Sequence, residues 1–87
     1  MDKIKMANGA SYDCTFCSAI PGMAFVAIPG NDFARAAQIF GTASNTRRME
    51  YGRYVMTGFT ELVDLNVQPY GIQATLKGGT VTEINNG

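Results

Sequence analysis

The chain has 87 residues, 46% of them apolar, and its 7 basic and 7 acidic side chains leave a formal net charge of zero. That balance excludes the basic excess that DNA or RNA binding demands, and no apolar run approaches the roughly 18 residues that span a bilayer. One domain, residues 1–87, is near the size where assembly often supplements stability, and a charged fraction of only 16% points the same way, to a homo-oligomer or a partner-bound chain.

In chain order, "DKIKM" and "SYDCTFC" flank "ANG", the strongest short hairpin signal, and predict strands over 2–6 and 10–17. "MAFVAI" is an apolar run of six bounded by Pro-Gly on both sides, too short for a helix and suited to a buried strand. "NDFARAAQIFG" predicts the single helix, near residues 32–40. Asn31 or Asp32 caps it, Gly41 supplies a left-handed end, and Phe33, Ala36, Ala37 and Phe40 form its apolar stripe. "TASNT" reads as loop.

"RRMEY", Gly52-Arg53 and "YVMTGFTELVDLNV" read as a second hairpin with a long later arm, bent or bulged at Gly58. Gln68-Pro69-Tyr70-Gly71 is a turn, and "IQATL" alternates with Ile72, Ala74 and Leu76 on one face. Residues 80–87 are an edge strand or a loose tail. The fold class is α+β: about five to seven strands in a mostly antiparallel sheet, with one helix packed on it. Phe16, Phe25, Phe59 and Tyr70 are assigned to its core.

"YDCTFC" holds both cysteines at Cys-x-x-Cys spacing. On one strand, Cys14 and Cys17 would face opposite sides. Zinc needs about four ligands, and the chain has no histidine and no further cysteine. A thioredoxin-like centre would need a helix directly after the motif. Neither a metal nor a cofactor is therefore expected, and the thiols read as small apolar core groups. The commonest general base is absent with histidine, and Ser11, Ser18 and Ser44 lie in no nucleophile elbow. An enzyme is not expected.

"SNTRRMEYGRY", residues 44–54, is chemically the richest stretch. Arg47, Arg48 and Arg53 offer planar forks for phosphate or carboxylate, and Tyr51 and Tyr54 offer stacking faces with hydroxyls. These five are the candidate ligand- or partner-binding residues. The alternative is a solvated hairpin whose charges keep an edge soluble. Strand alternation puts Arg47, Met49 and Tyr51 on one face and Arg48 with Glu50 on the other, so Arg48–Glu50 reads as a surface ion pair. Met49 and Met56 flank this turn as fillers or contacts.

Three pieces, "IKMANGASYDC", "NDFARAAQIFGTASNTRRMEY" and "YVMTGFTELVDLNVQPYGIQATLKG", together resemble short proteins encoded by tailed phages and prophages of Firmicutes. The shared pattern is an "NG" hairpin, a helix ending in Phe, a strand of the form Thr-x-x-Met-x-Tyr, and a "GFT-x-L" strand, and it covers about residues 3–78. The resemblance implies a phage origin and no particular binding residue. Phage proteins of this size imply two roles. One is an antagonist of bacterial antiviral defence that binds an immune effector or sequesters an anionic nucleotide signal. The other is a virion or tail-assembly accessory. The arginine–tyrosine turn favours the first. "MDKIKMANG" has no apolar core before a cleavage site, so no signal peptide is expected. The expected location is the host cytoplasm, or the virion for the second role.

Overall fold

Apolar side chains at alternate positions of "DKIKM" set the first strand, and the computed structural model, which describes residues 2–41 and 47–83, closes it into a hairpin. Strands β1 (Asp2–Met6) and β2 (Ser11–Cys14) pair antiparallel, with Asp2 opposite Cys14 and Lys5 opposite Ser11. The Met6 amide donates to the Ala10 carbonyl at 2.8 Å and the Gly9 amide to the Met6 carbonyl at 3.0 Å. The Asn8 side chain accepts from the Ala10 amide at 3.0 Å, the local bond that suits asparagine to turns.

Thr15 then carries the chain out of this sheet. Its amide donates to the Ala27 carbonyl at 2.9 Å, and its hydroxyl reaches the carbonyls of Ala27 and Tyr70 at 3.2 and 2.5 Å. The strand expected over 10–17 is therefore two strands in two sheets, β2 and β3 (Phe16–Ile20). After β4 (Met23–Ile28) come the helix α1 (Phe33–Phe40), β5 (Arg48–Tyr51) and β6 (Tyr54–Thr57). Gly58, with φ +80°, turns the chain at the expected bend, which separates β6 from β7 (Glu61–Gln68). Strands β8 (Gly71–Lys77) and β9 (Thr80–Glu83) complete the order. The predicted loop over 42–46 and the end of the predicted tail, 84–87, lie outside the described residues.

The described residues thus form nine strands in two antiparallel sheets and one helix, an α+β domain. One sheet runs β2-β1-β5-β6-β9 and the other β3-β4-β8-β7. Their facing sides share one core. Ile4, Met6, Cys14, Met49 and Met56 come from the five-stranded sheet, and Ala24, Val26, Ile28, Ile72, Ala74 and Leu76 from the four-stranded one. Phe59 joins this core with no exposed surface.

Helix α1 packs against β7 and β8. The Asp32 carboxylate caps it by accepting from the Arg35 amide at 3.1 Å. Its buried face is Ala36, Ile39 and Phe40, whereas Phe33 is 47% exposed and Ala37 is also exposed, so the predicted stripe is rotated. The i, i+3, i+4 spacing of Ala36, Ile39 and Phe40 makes a stripe as good as the expected one, and packing chooses it. Gly41 has φ −83°, right-handed rather than left-handed. A side chain there would strike the Ala37 carbonyl, so close approach is what calls for glycine.

Three of the four aromatics assigned to the core lie elsewhere. Register places Phe16, Phe25 and Gln73 on the face of the four-stranded sheet opposite Val26 and Leu76. Phe16 and Phe25 are half-buried there, and Tyr70 is 39% exposed. The rings of Phe16 and Tyr70 lie 5.4 Å apart, and the Tyr70 hydroxyl donates to Gln73 Oε1 at 2.7 Å. They make a partly apolar outer patch instead of a core layer.

Candidate functional site

Pairing of β5 with β6 puts Tyr51 directly opposite Tyr54, joined by the two-residue loop Gly52-Arg53. Register carries both tyrosines onto the inward side of their sheet, in the same row as buried Ile4 of β1. Strand β3 passes over them from the facing sheet. Between the two lies a cavity of about 270 Å³ lined by Cys17, Ser18, Ala19, Tyr51, Tyr54 and Met56. Met56 is fully buried, Tyr51 is half-buried and Tyr54 is 43% exposed. The walls therefore offer two phenol rings, a thiol and a thioether. Such a lining suits an aromatic or apolar group through stacking and sulfur–ring contact.

The Tyr51 hydroxyl donates to Asp2 Oδ2 at 2.9 Å, a bond that joins β5 to the start of β1. That carboxylate favours the protonated phenol and pushes the Tyr51 pKa up to about 12. The ring is thus held in place by its own hydrogen bond.

The three arginines of the predicted site do not converge on this cavity. Arg47 lies just before β5, exposed, and its carbonyl accepts from the Gly58 amide at 2.6 Å. Arg48 points to the outer face, where its Nε lies 3.7 Å from Glu50 Oε2, the expected surface ion pair. Arg53 sits in the turn, with Nη1 3.3 Å from Glu83 Oε1. Glu50 is half-buried and the other three side chains of these pairs are exposed, so the pairs add little to stability. Ser44, Asn45 and Thr46, at the start of the predicted cluster, lie outside the described residues.

Of the five candidates, Tyr51 and Tyr54 come together at a cavity and Arg47, Arg48 and Arg53 spread away from it. Sequence reasoning offers Met56 as a filler or contact beside the turn and misses Asp2, Cys17 and Ala19. For Cys17 and Met56 a signal exists, since sulfur side chains near an aromatic turn are natural pocket walls. For Asp2 there is none, because the β1–β5 pairing spans half the chain.

The geometry of Cys14 and Cys17 also differs from expectation. They do not sit on opposite faces of one strand. The crossing at Thr15 places Cys14 in one sheet and Cys17 in the other, and both turn into the shared core. Both are free thiols. Among the described residues, no group of three or more histidine, cysteine, aspartate or glutamate side chains is arranged to hold a metal ion.

A second, smaller crevice of about 70 Å³ lies among Tyr12, Asp13, Ile28, Pro29 and Arg35. The Arg35 guanidinium stands 6.0 Å from the centre of the Tyr12 ring. Asp13 accepts from Lys3 Nζ at 2.8 Å, and that bond holds its carboxyl below the usual carboxylate value. No helix among the described residues is long and apolar enough to cross a membrane. Comparison with family models, curated proteins and solved structures finds no match to this chain.

Proposed function

We propose that the chain is a non-enzymatic binding protein of phage origin that antagonises bacterial antiviral defence in the host cytoplasm. It holds an immune effector by seating an aromatic or apolar side chain of that effector in the Tyr51–Tyr54 cavity. The observation that carries this reading is the cavity itself, about 270 Å³ and walled by Tyr51, Tyr54, Cys17 and Met56. Rigid aromatic walls of this kind are what hot spots of protein recognition use. An anionic nucleotide would meet no arginine among the lining residues, which favours a protein effector over a sequestered signal. The phage origin rests on the sequence resemblance alone.

The test is plaque formation on strains that each carry one defence system, using a phage that the system restricts. Expression of the wild-type chain should raise plaque counts on at least one strain. The Tyr51→Ala/Tyr54→Ala variant should fail to do so, with its fold checked by circular dichroism. Relief of no system, or equal relief by the tyrosine variant, would count against the proposal.

A virion or tail-assembly role is the second reading, and exposed edge strand β7 favours it. Val63, the extra residue at a bulge, and Val67 are 51% and 53% exposed along that edge, and unpaired edges invite strand addition by another copy. Light scattering during gel filtration should then report at least a dimer rather than a 9.4 kDa monomer.

A further inference from the structure

Cys14 lies in the core and Cys17 in the wall of the cavity, on either side of the Thr15 crossing between the sheets. The Cys14 thiol donates to the Phe16 carbonyl oxygen at 3.1 Å, and that carbonyl belongs to the peptide linking Phe16 to Cys17. The Cys14 sulfur therefore lies against the backbone of Cys17, although the two residues belong to different sheets. Exposure divides them: Cys14 is 3% exposed, whereas Cys17 is half-buried and lines the cavity. Cys17 thus borders the cavity, and Cys14 is buried against the peptide that leads into Cys17. This is the arrangement of an attacking thiol and a resolving thiol.

We propose that Cys14 and Cys17 form a reversible dithiol–disulfide site, oxidised by exchange with a low-molecular-weight disulfide such as glutathione disulfide. Cys17 gives up its proton and its sulfur attacks one sulfur of the reagent. The reagent's S–S bond breaks, a mixed disulfide forms on Cys17, and one thiolate leaves. Cys14, deprotonated in turn, attacks the Cys17 sulfur and displaces the second thiolate. The protein loses two electrons, the reagent gains them, and the two protons end on the two released thiols. The new bond ties the two sheets together at the Thr15 crossing.

The ionisation of the pair sets the pace of the first step. The neighbouring Cys17 side chain holds the Cys14 thiol below the ordinary value, and the neighbouring Cys14 together with burial holds Cys17 above it. The first attack is slow at neutral pH and accelerates as pH rises.

The test incubates the full chain with glutathione disulfide and reads intact mass under denaturing, non-reducing conditions. Wild type should lose two hydrogens, keep no adduct, and return to its starting mass with dithiothreitol. Cys14→Ala should retain one glutathione, mapped to Cys17, and Cys17→Ala should stay unmodified. In wild type, samples quenched early should show the transient adduct on Cys17, a readout that needs no variant to fold. Stable adducts on wild type, a disulfide between copies, or an unchanged mass at raised pH would overturn the proposal.

Discussion

The hairpin of β5 and β6 carries two tyrosines and, at or beside its strands, three arginines, and the two residue types end in different surroundings. Tyr51 and Tyr54 face into the sandwich and wall a cavity beneath β3. Arg48 faces solvent beside Glu50, Arg53 occupies the turn beside Glu83, and Arg47 stands at the far end of β5. Alternation sends Arg48 to the face opposite Tyr51, whereas Arg53 is set apart by the turn and Arg47 by its place before the strand begins. A cluster along the chain is therefore not yet a site. The part of it that shares a face and meets a second sheet becomes one.

That contrast can be broken most forcefully at the cavity floor. Met56→Ala removes a fully buried side chain and should cost about 2–5 kcal/mol in urea unfolding, because the surrounding core cannot wholly collapse into the gap. A cost under about 1 kcal/mol would mean that the floor is loosely packed. Next in size is the paired change Cys14→Ala with Cys17→Ser. It should keep the fold and cost about 1–3 kcal/mol, the ordinary effect of altering small core groups.

Tyr51→Phe sharpens the comparison through pH. An unfolded tyrosine titrates near pH 10, and the Asp2 contact raises the folded value to about 12. The contribution of the Tyr51 hydroxyl is present below about pH 10 and is lost as pH rises through 12. Wild type should exceed Tyr51→Phe in unfolding free energy, measured by urea titration at neutral pH, by about 1 kcal/mol or less, since the bond is near the surface. The gap should close between about pH 10 and 12. A gap that stays constant across that window would show that the hydroxyl does not donate to Asp2. The smallest effects belong to the arginines: Arg48→Ala and Arg53→Ala should each lie within about 0.5 kcal/mol of wild type.

Much of the fold is legible where the signal is local. The Asn8-Gly9 turn, the Asp32 cap, the alternation of Ile72, Ala74 and Leu76, and the bend at Gly58 depend on residues close in sequence, and each appears in the structure. The Thr15 crossing does not depend on local signals. Its hydrogen bonds reach Ala27 and Tyr70, and no pattern within residues 10–17 announces a change of sheet. The misplacement of Cys17 follows from that single omission, as does the misassignment of Phe16, which lies beside it on the outward side of β3. The helix face goes wrong for a different reason. "FARAAQIF" supports two apolar stripes, and only packing against β7 and β8 selects Ala36, Ile39 and Phe40.

The candidate site is half legible for the same physical reason. Residue types mark the segment around Tyr51, and alternation alone separates Arg48 from Tyr51. The cavity exists only because β3 lies across β5 and β6, a tertiary fact, and Asp2 anchors Tyr51 from 49 residues away in the sequence.

The measurement that most directly tests the aromatic cavity against the arginines is a pair of amide chemical-shift titrations on the isotope-labelled chain. One uses indole as the aromatic probe and the other uses ADP as the anionic probe. Indole should move the amides of Cys17, Ala19, Tyr51, Tyr54 and Met56 together in a saturable manner, and ADP should leave them in place. Saturable shifts with ADP centred on Arg47, Arg48 and Arg53, with none at the cavity for indole, would contradict the account.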